Sequence, residues 1–85
     1  MKEFRYTVMD PLGMHARPAG IFVKEASSCE SSVRLTKGEK SVDAKKIFGV
    51  MGLLVKCGDE VTVTVEGPDE AEVVMRLEEF MKNNL

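Results

Sequence analysis

His15 is the only histidine in 85 residues, and Arg17 follows it in the run Gly13-Met14-His15-Ala16-Arg17-Pro18-Ala19-Gly20. Apolar residues at helical spacing begin straight after it. The histidine is therefore expected where a loop becomes the first turn of a helix. A cation and unpaired backbone N–H groups would lie beside it there. Such a corner attracts anions, and phosphate is an anion that an imidazole can also carry covalently. A neutral ring nitrogen is a nucleophile. Once a phosphoryl group is bound, the same N–H groups and Arg17 would stabilise its charge, as preorganised donors do for an oxyanion. Pro18 has no N–H, which leaves Ala16 and Arg17 as the useful backbone donors. The same residues also fit a plain surface histidine near a helix cap, and spacing alone does not separate the two.

The elements that must hold this corner follow from hydrophobic period. Lys2 to Met9 alternates, with Phe4, Tyr6 and Val8 on one side, which predicts a half-buried strand. Asp10-Pro11-Leu12-Gly13 stops it. Ala16 to Ser28 repeats every 3.6 residues, with Ala19, Phe22, Val23 and Ala26 inward and Arg17, Gly20, Lys24 and Ser27 outward. Ser27 to Ser31 reads as a polar exit. Ser32–Lys37 and Lys40–Ala44, joined by Gly38-Glu39, read as a hairpin. Lys45 to Leu54 is predicted to be a short helix weakened by Gly49 and Gly52. It carries more apolar residues than one face can bury, so Phe48 and Met51 are expected outside, with Ile47 at the margin. Asp59 to Glu66 is the clearest strand, with Val61, Val63 and Val65 in alternation. Ala71 to Lys82 is an amphipathic helix opened by Asp69 and Glu70, with Glu72–Arg76 and Glu78–Lys82 as i,i+4 pairs. The order β-α-β-β-α-β-α, with one apolar face per element, predicts an α+β open-faced sandwich. Its four-stranded antiparallel sheet would carry three helices on one face.

Composition bounds the function. Eighty-five residues, 44% hydrophobic and 31% charged, make a single domain over residues 1–85 with a modest core. Chemistry is then expected on the surface, with a second protein completing the site. The net charge of -2 argues against a nucleic-acid binder. Cys29 and Cys57 form no CxxC pair, so no metal or other cofactor is expected. They read as reduced thiols of a cytoplasmic protein. No apolar run reaches the ~20 residues that span a bilayer, so no membrane insertion is expected.

Three stretches carry a resemblance beyond these patterns: Gly13 to Ala19, Ile47-Phe48-Gly49-Val50-Met51-Gly52-Leu53, and Gly58-Asp59-Glu60-Val61. Together, and in this order, they resemble the HPr family, histidine-containing phosphocarriers of the bacterial sugar phosphotransferase system. The resemblance runs essentially the whole chain. It implies that Enzyme I, charged from phosphoenolpyruvate, phosphorylates His15 at Nδ1, and that His15 passes the group to IIA components of sugar transporters. It implies a carrier and not an enzyme, acting as a monomer. It also implies a partner face of Met14, Arg17, Gly20, Lys24, Ile47, Phe48 and Met51, with Ala16 and Leu54 at its edge. Many members carry a regulatory serine where this chain has Lys46, so serine-kinase control is not expected. Lys45 and Lys46 are instead expected to favour docking on an acidic partner. Two other classes compete: a regulatory binding module of the same shape, and a small phosphate-ester hydrolase. No carboxylate lies within the histidine motif itself, which weighs against the hydrolase.

Overall fold

A computed structural model describes residues 1–85. The elements are β1 (Lys2–Thr7), α1 (Ala16–Ser27), β2 (Ser32–Lys37), β3 (Lys40–Asp43), α2 (Ile47–Gly52), β4 (Glu60–Glu66) and α3 (Glu70–Asn84). The expected order is present throughout. The strands form one antiparallel sheet in the order β1-β4-β2-β3. The last strand in sequence is thus an inner one, paired with β1 through Phe4↔Val63 and with β2 through Leu35↔Val63.

Strand alternation decides the layering. Phe4, Val33, Leu35, Val61, Val63 and Val65 are buried, while Arg5, Arg34, Thr62 and Thr64 face outward or lie half-covered. Helices can therefore cover only one side. Ala19, Phe22 and Ala26 of α1, Val50 of α2, and Val73, Leu77, Phe80 and Met81 of α3 close the core from that side. The Phe22 and Phe80 rings meet at 5.9 Å between centroids, which ties α1 to α3. Each large side chain buried this way contributes roughly 1.5–3 kcal/mol. The open face remains polar, as the threonines of β4 require.

Several local expectations are corrected. The second helix is six residues, Ile47–Gly52, and not Lys45 to Leu54. Ahead of it, Asp43 holds a turn: its side chain accepts from Lys45 N at 2.9 Å and its carbonyl from Lys46 N at 3.1 Å. Behind it, Leu54 takes φ 53°, the one positive φ outside glycine, and a helix cannot pass through that conformation. Lys37 Nζ holds the exit by donating to Leu53 O at 3.2 Å and Leu54 O at 2.9 Å.

The exit of α1 is not simply polar and exposed. Ser31 is fully buried, and its backbone N–H and hydroxyl both donate to the Asp69 carboxylate, which also accepts from Glu30 N at 3.1 Å. Gly67 lies against Ser31 so closely that any Cβ would collide with it. This seam joins the α1–β2 and β4–α3 connections. The Glu72–Arg76 pair does not form. Arg76 turns to α1, with Nε 3.3 Å from Glu25 Oε2 though not aligned for a hydrogen bond, and with Nη2 3.2 Å from Ser28 Oγ. A tertiary partner thus replaces a local one of only a few tenths of a kcal/mol. Glu78 and Lys82 form no ion pair either, since the protein's three are Met1–Glu70, Lys37–Asp59 and Arg76–Glu25.

Candidate functional site

His15 is the N-cap residue of α1, with extended backbone (φ -81°, ψ -178°). Its carbonyl accepts from Ala19 N at 3.0 Å, and its own N–H is turned back to Gly13 O at 3.0 Å. A serine or aspartate at this position would use its side chain to close the first turn. The imidazole does not, and makes no side-chain cap hydrogen bond. The N–H groups of Ala16 and Arg17 therefore have no acceptor within the protein, and Pro18 supplies none. Two free donors, a half-buried ring and an exposed guanidinium meet at one corner. Arg17 takes part in none of the three ion pairs.

The loop before His15 is shaped by backbone requirements. Gly13 has φ 66°, and a Cβ there would run into the Val55 carbonyl and the Lys56 backbone. That close approach lets Met14 N donate to Val55 O at 3.0 Å and seats the histidine over the α2–β4 connection. Asp10 builds the turn: its side chain accepts from Leu12 N at 2.8 Å and its carbonyl from Gly13 N at 2.9 Å. On the other side, Asp59 ties down the Lys56 end, accepting from Lys56 N at 2.8 Å. That hydrogen bond, with the Lys37 ammonium 3.1 Å away, holds the Asp59 carboxyl below the usual range.

Two clefts flank His15. One, about 240 Å³, is lined by Asp10, His15, Arg17, Pro18, Ile21 and Asn84. The other, about 250 Å³, is apolar and lined by Leu12, Met14, His15, Met51, Leu54, Val55 and Lys56. The ring thus stands between an anion-friendly pocket and a greasy one. No group of three or more His, Cys, Asp or Glu side chains is placed to hold a metal.

The residues expected on the partner face are partly brought together. Phe48 is 88% exposed and Leu54 67%, while Ile47 and Met51 are half-buried and Gly20, Lys24 and Lys46 exposed. Met14, expected as a contact, is only 5% exposed, because the loop seats its side chain under the histidine. It forms the floor of the apolar cleft and not a projecting contact. Lys45 is half-buried, and its Nζ donates to Cys29 O at 3.2 Å beyond the C-terminal end of α1. It therefore sits about a helix length from His15. Sequence reasoning missed Leu12, which is 72% exposed beside His15, and also Asp10 and Asn84. Leu12 and Asp10 were legible only as strand-stopping residues, and Asn84 arrives from the far end of the chain.

Comparison with known proteins gives this geometry a context. The family model described as the PTS HPr component phosphorylation site matches residues 2–83. The phosphocarrier protein HPr of Lysinibacillus sphaericus is 47% identical over 70 residues, covering 82% of this chain and 80% of that protein. The HPr-like protein Crh of Bacillus subtilis is 42% identical over 73 residues, 86% of each. Among solved structures, HPr from Thermoanaerobacter tengcongensis superimposes with a TM-score of 0.93 at 38% identity, covering 98% of this chain and 93% of that one. A crystal structure of Bacillus subtilis Crh, described as a domain-swapped dimer, gives 0.78 at 39% identity over 100% and 98%. No helix of this protein is long and apolar enough to cross a membrane. With near-complete coverage in sequence and in fold, the chain belongs to the HPr family of the phosphotransferase system, and with its HPr relatives it is a phosphocarrier and not an enzyme.

Proposed function

We propose that residues 1–85 act as a single phosphocarrier domain in which His15 Nδ1 takes a phosphoryl group from phospho-Enzyme I and gives it to IIA components of sugar transporters. In the first step a lone pair on Nδ1 forms the new N–P bond as the bond from phosphorus to the donor breaks. In the second step the N–P bond breaks as the acceptor bonds phosphorus, and the ring returns to its starting form. Neither step needs a cofactor. The N–H groups of Ala16 and Arg17 and the Arg17 guanidinium stabilise the transferring group, the usual protein contribution to phosphoryl transfer.

The observation that carries this reading is the uncapped His15 at the head of α1, with two free N–H donors and an unpaired arginine beside it. Ile47, Phe48, Met51 and Leu54, with Gly20, Lys24 and Lys46, form the face on which partners dock, and Lys45 lies at its far end, about a helix length from His15. An apolar patch rimmed by charge suits a transient interface. The protein works as a monomer in the cytoplasm, where Enzyme I meets it.

Incubation with Enzyme I and phosphoenolpyruvate should label the protein with an acid-labile, base-stable phosphate that then passes to a IIA protein. His15→Ala should lose all label and keep the fold, and Arg17→Ala should slow transfer without abolishing it. Label on His15→Ala would overturn the assignment.

A further inference from the structure

The cleft beside His15 and Arg17 has a carboxylate in its wall. Asp10 lines it together with both residues, although it lies outside the histidine motif. One Asp10 oxygen accepts from Leu12 N at 2.8 Å. The other has no partner in the protein, and none of the three ion pairs includes Asp10. A phosphoryl group on His15 would bring up to two negative charges into this cleft. Arg17 and the free N–H groups of Ala16 and Arg17 favour that charge, and an uncompensated Asp10 opposes it.

We propose that Asp10 sets the phosphoryl-transfer potential of His15 by destabilising the phosphorylated state. The carboxylate leaves the N–P bond chemistry unchanged. It raises the free energy of phospho-His15 relative to the free ring, so the group is held less tightly and given up more readily. A site built only of cations and N–H donors would trap the phosphoryl group, which a carrier must release. Asp10 is thus a tuning residue for donation, and it rests on the phosphocarrier reading above. Its hydrogen bond to Leu12 N serves that role, since it fixes the carboxylate at the cleft instead of leaving it free to swing into solvent.

Asp10→Asn tests this directly, because the amide oxygen can still accept from Leu12 N while the charge is removed. Wild type and Asp10→Asn are mixed in equal amounts with catalytic Enzyme I and a limiting quantity of labelled phosphoenolpyruvate. Enzyme I passes the phosphoryl group back and forth until the two proteins share it at equilibrium. The two phospho-forms differ by one charge and separate on a native gel. The variant should hold roughly fivefold more label, the size of a solvent-screened like-charge interaction. The excess should shrink toward equal sharing in 1 M salt. Equal sharing at low salt, or less label on the variant, would overturn the proposal. So would an excess that salt leaves untouched, since it would have a structural origin. Label on neither protein would instead sink the carrier reading on which the proposal stands.

Discussion

Lys37 Nζ donates to the Leu54 carbonyl at 2.9 Å, and Leu54 is the one residue other than glycine held at positive φ. The two are 17 positions apart in sequence. Leu54 therefore stands 67% exposed in the apolar cleft beside His15, in a conformation that its own side chain disfavours by about 1–2 kcal/mol. A strand residue from the far side of the hairpin compensates it by capping the orphan carbonyls at the end of α2.

Lys37→Met should therefore release the α2 exit. Loss of two charge-assisted hydrogen bonds to Leu53 and Leu54 is expected to cost about 1 kcal/mol at this partly exposed site. Denaturant unfolding would measure it. Amide exchange should speed up at Leu53 to Val55 while Val61 to Val65 stay protected, which distinguishes a local opening from global loss.

Phe48 is 88% exposed, so Phe48→Ala should change stability by less than about 0.5 kcal/mol. If the ring is a docking anchor, the same change should raise the KM for phosphorylation by Enzyme I roughly tenfold or more. An unchanged KM would remove Phe48 from the interface.

The two lysines before α2 should separate. Lys46 is exposed and in no ion pair, whereas Lys45 is half-buried with its ammonium on the Cys29 carbonyl. Lys46→Glu should slow association with Enzyme I, most at low salt, and leave thermal stability near wild type. Lys45→Glu should in addition lower Tm by a few degrees, because it leaves the Cys29 carbonyl without its donor. Stopped-flow association at two ionic strengths, paired with calorimetry, checks both.

Acid should loosen the α1–β2 seam. The Ser31 hydroxyl and the Glu30 N–H hold the Asp69 carboxyl below the usual range. A carboxyl depressed in the folded state stabilises fully above its unfolded pKa, near 3.8. That contribution is lost as pH falls through the lower folded value. Wild-type Tm should therefore decline below about pH 4, and Asp69→Asn should start lower at neutral pH and decline less. Parallel Tm–pH curves for the two proteins would contradict this. Asp59 titrates in the same sense, and loses the Lys56 N–H hydrogen bond and the Lys37 pairing over the same range.

Much of this molecule was legible in the sequence. Alternation at Val61, Val63 and Val65 and the 3.6-residue spacing of Ala19, Phe22 and Ala26 announced the sheet and the first helix, because those periods are properties of the local backbone. His15 and Arg17 were legible as a pair for the same reason, since a helix start fixes the N–H groups near both. Contacts between distant segments decided the rest. Periodicity could not foresee that Asp69 would bury Ser31, that Arg76 would prefer Glu25 to Glu72, or that Lys37 would hold Leu54 at positive φ. Nor could it place Asp10 and Asn84 in one cleft with His15. Local pattern fixes which face a side chain occupies. Only the packing of those faces decides which charges meet across the chain, and it is that meeting which turns a half-buried histidine into a site with a cationic side, an acidic wall and an apolar floor.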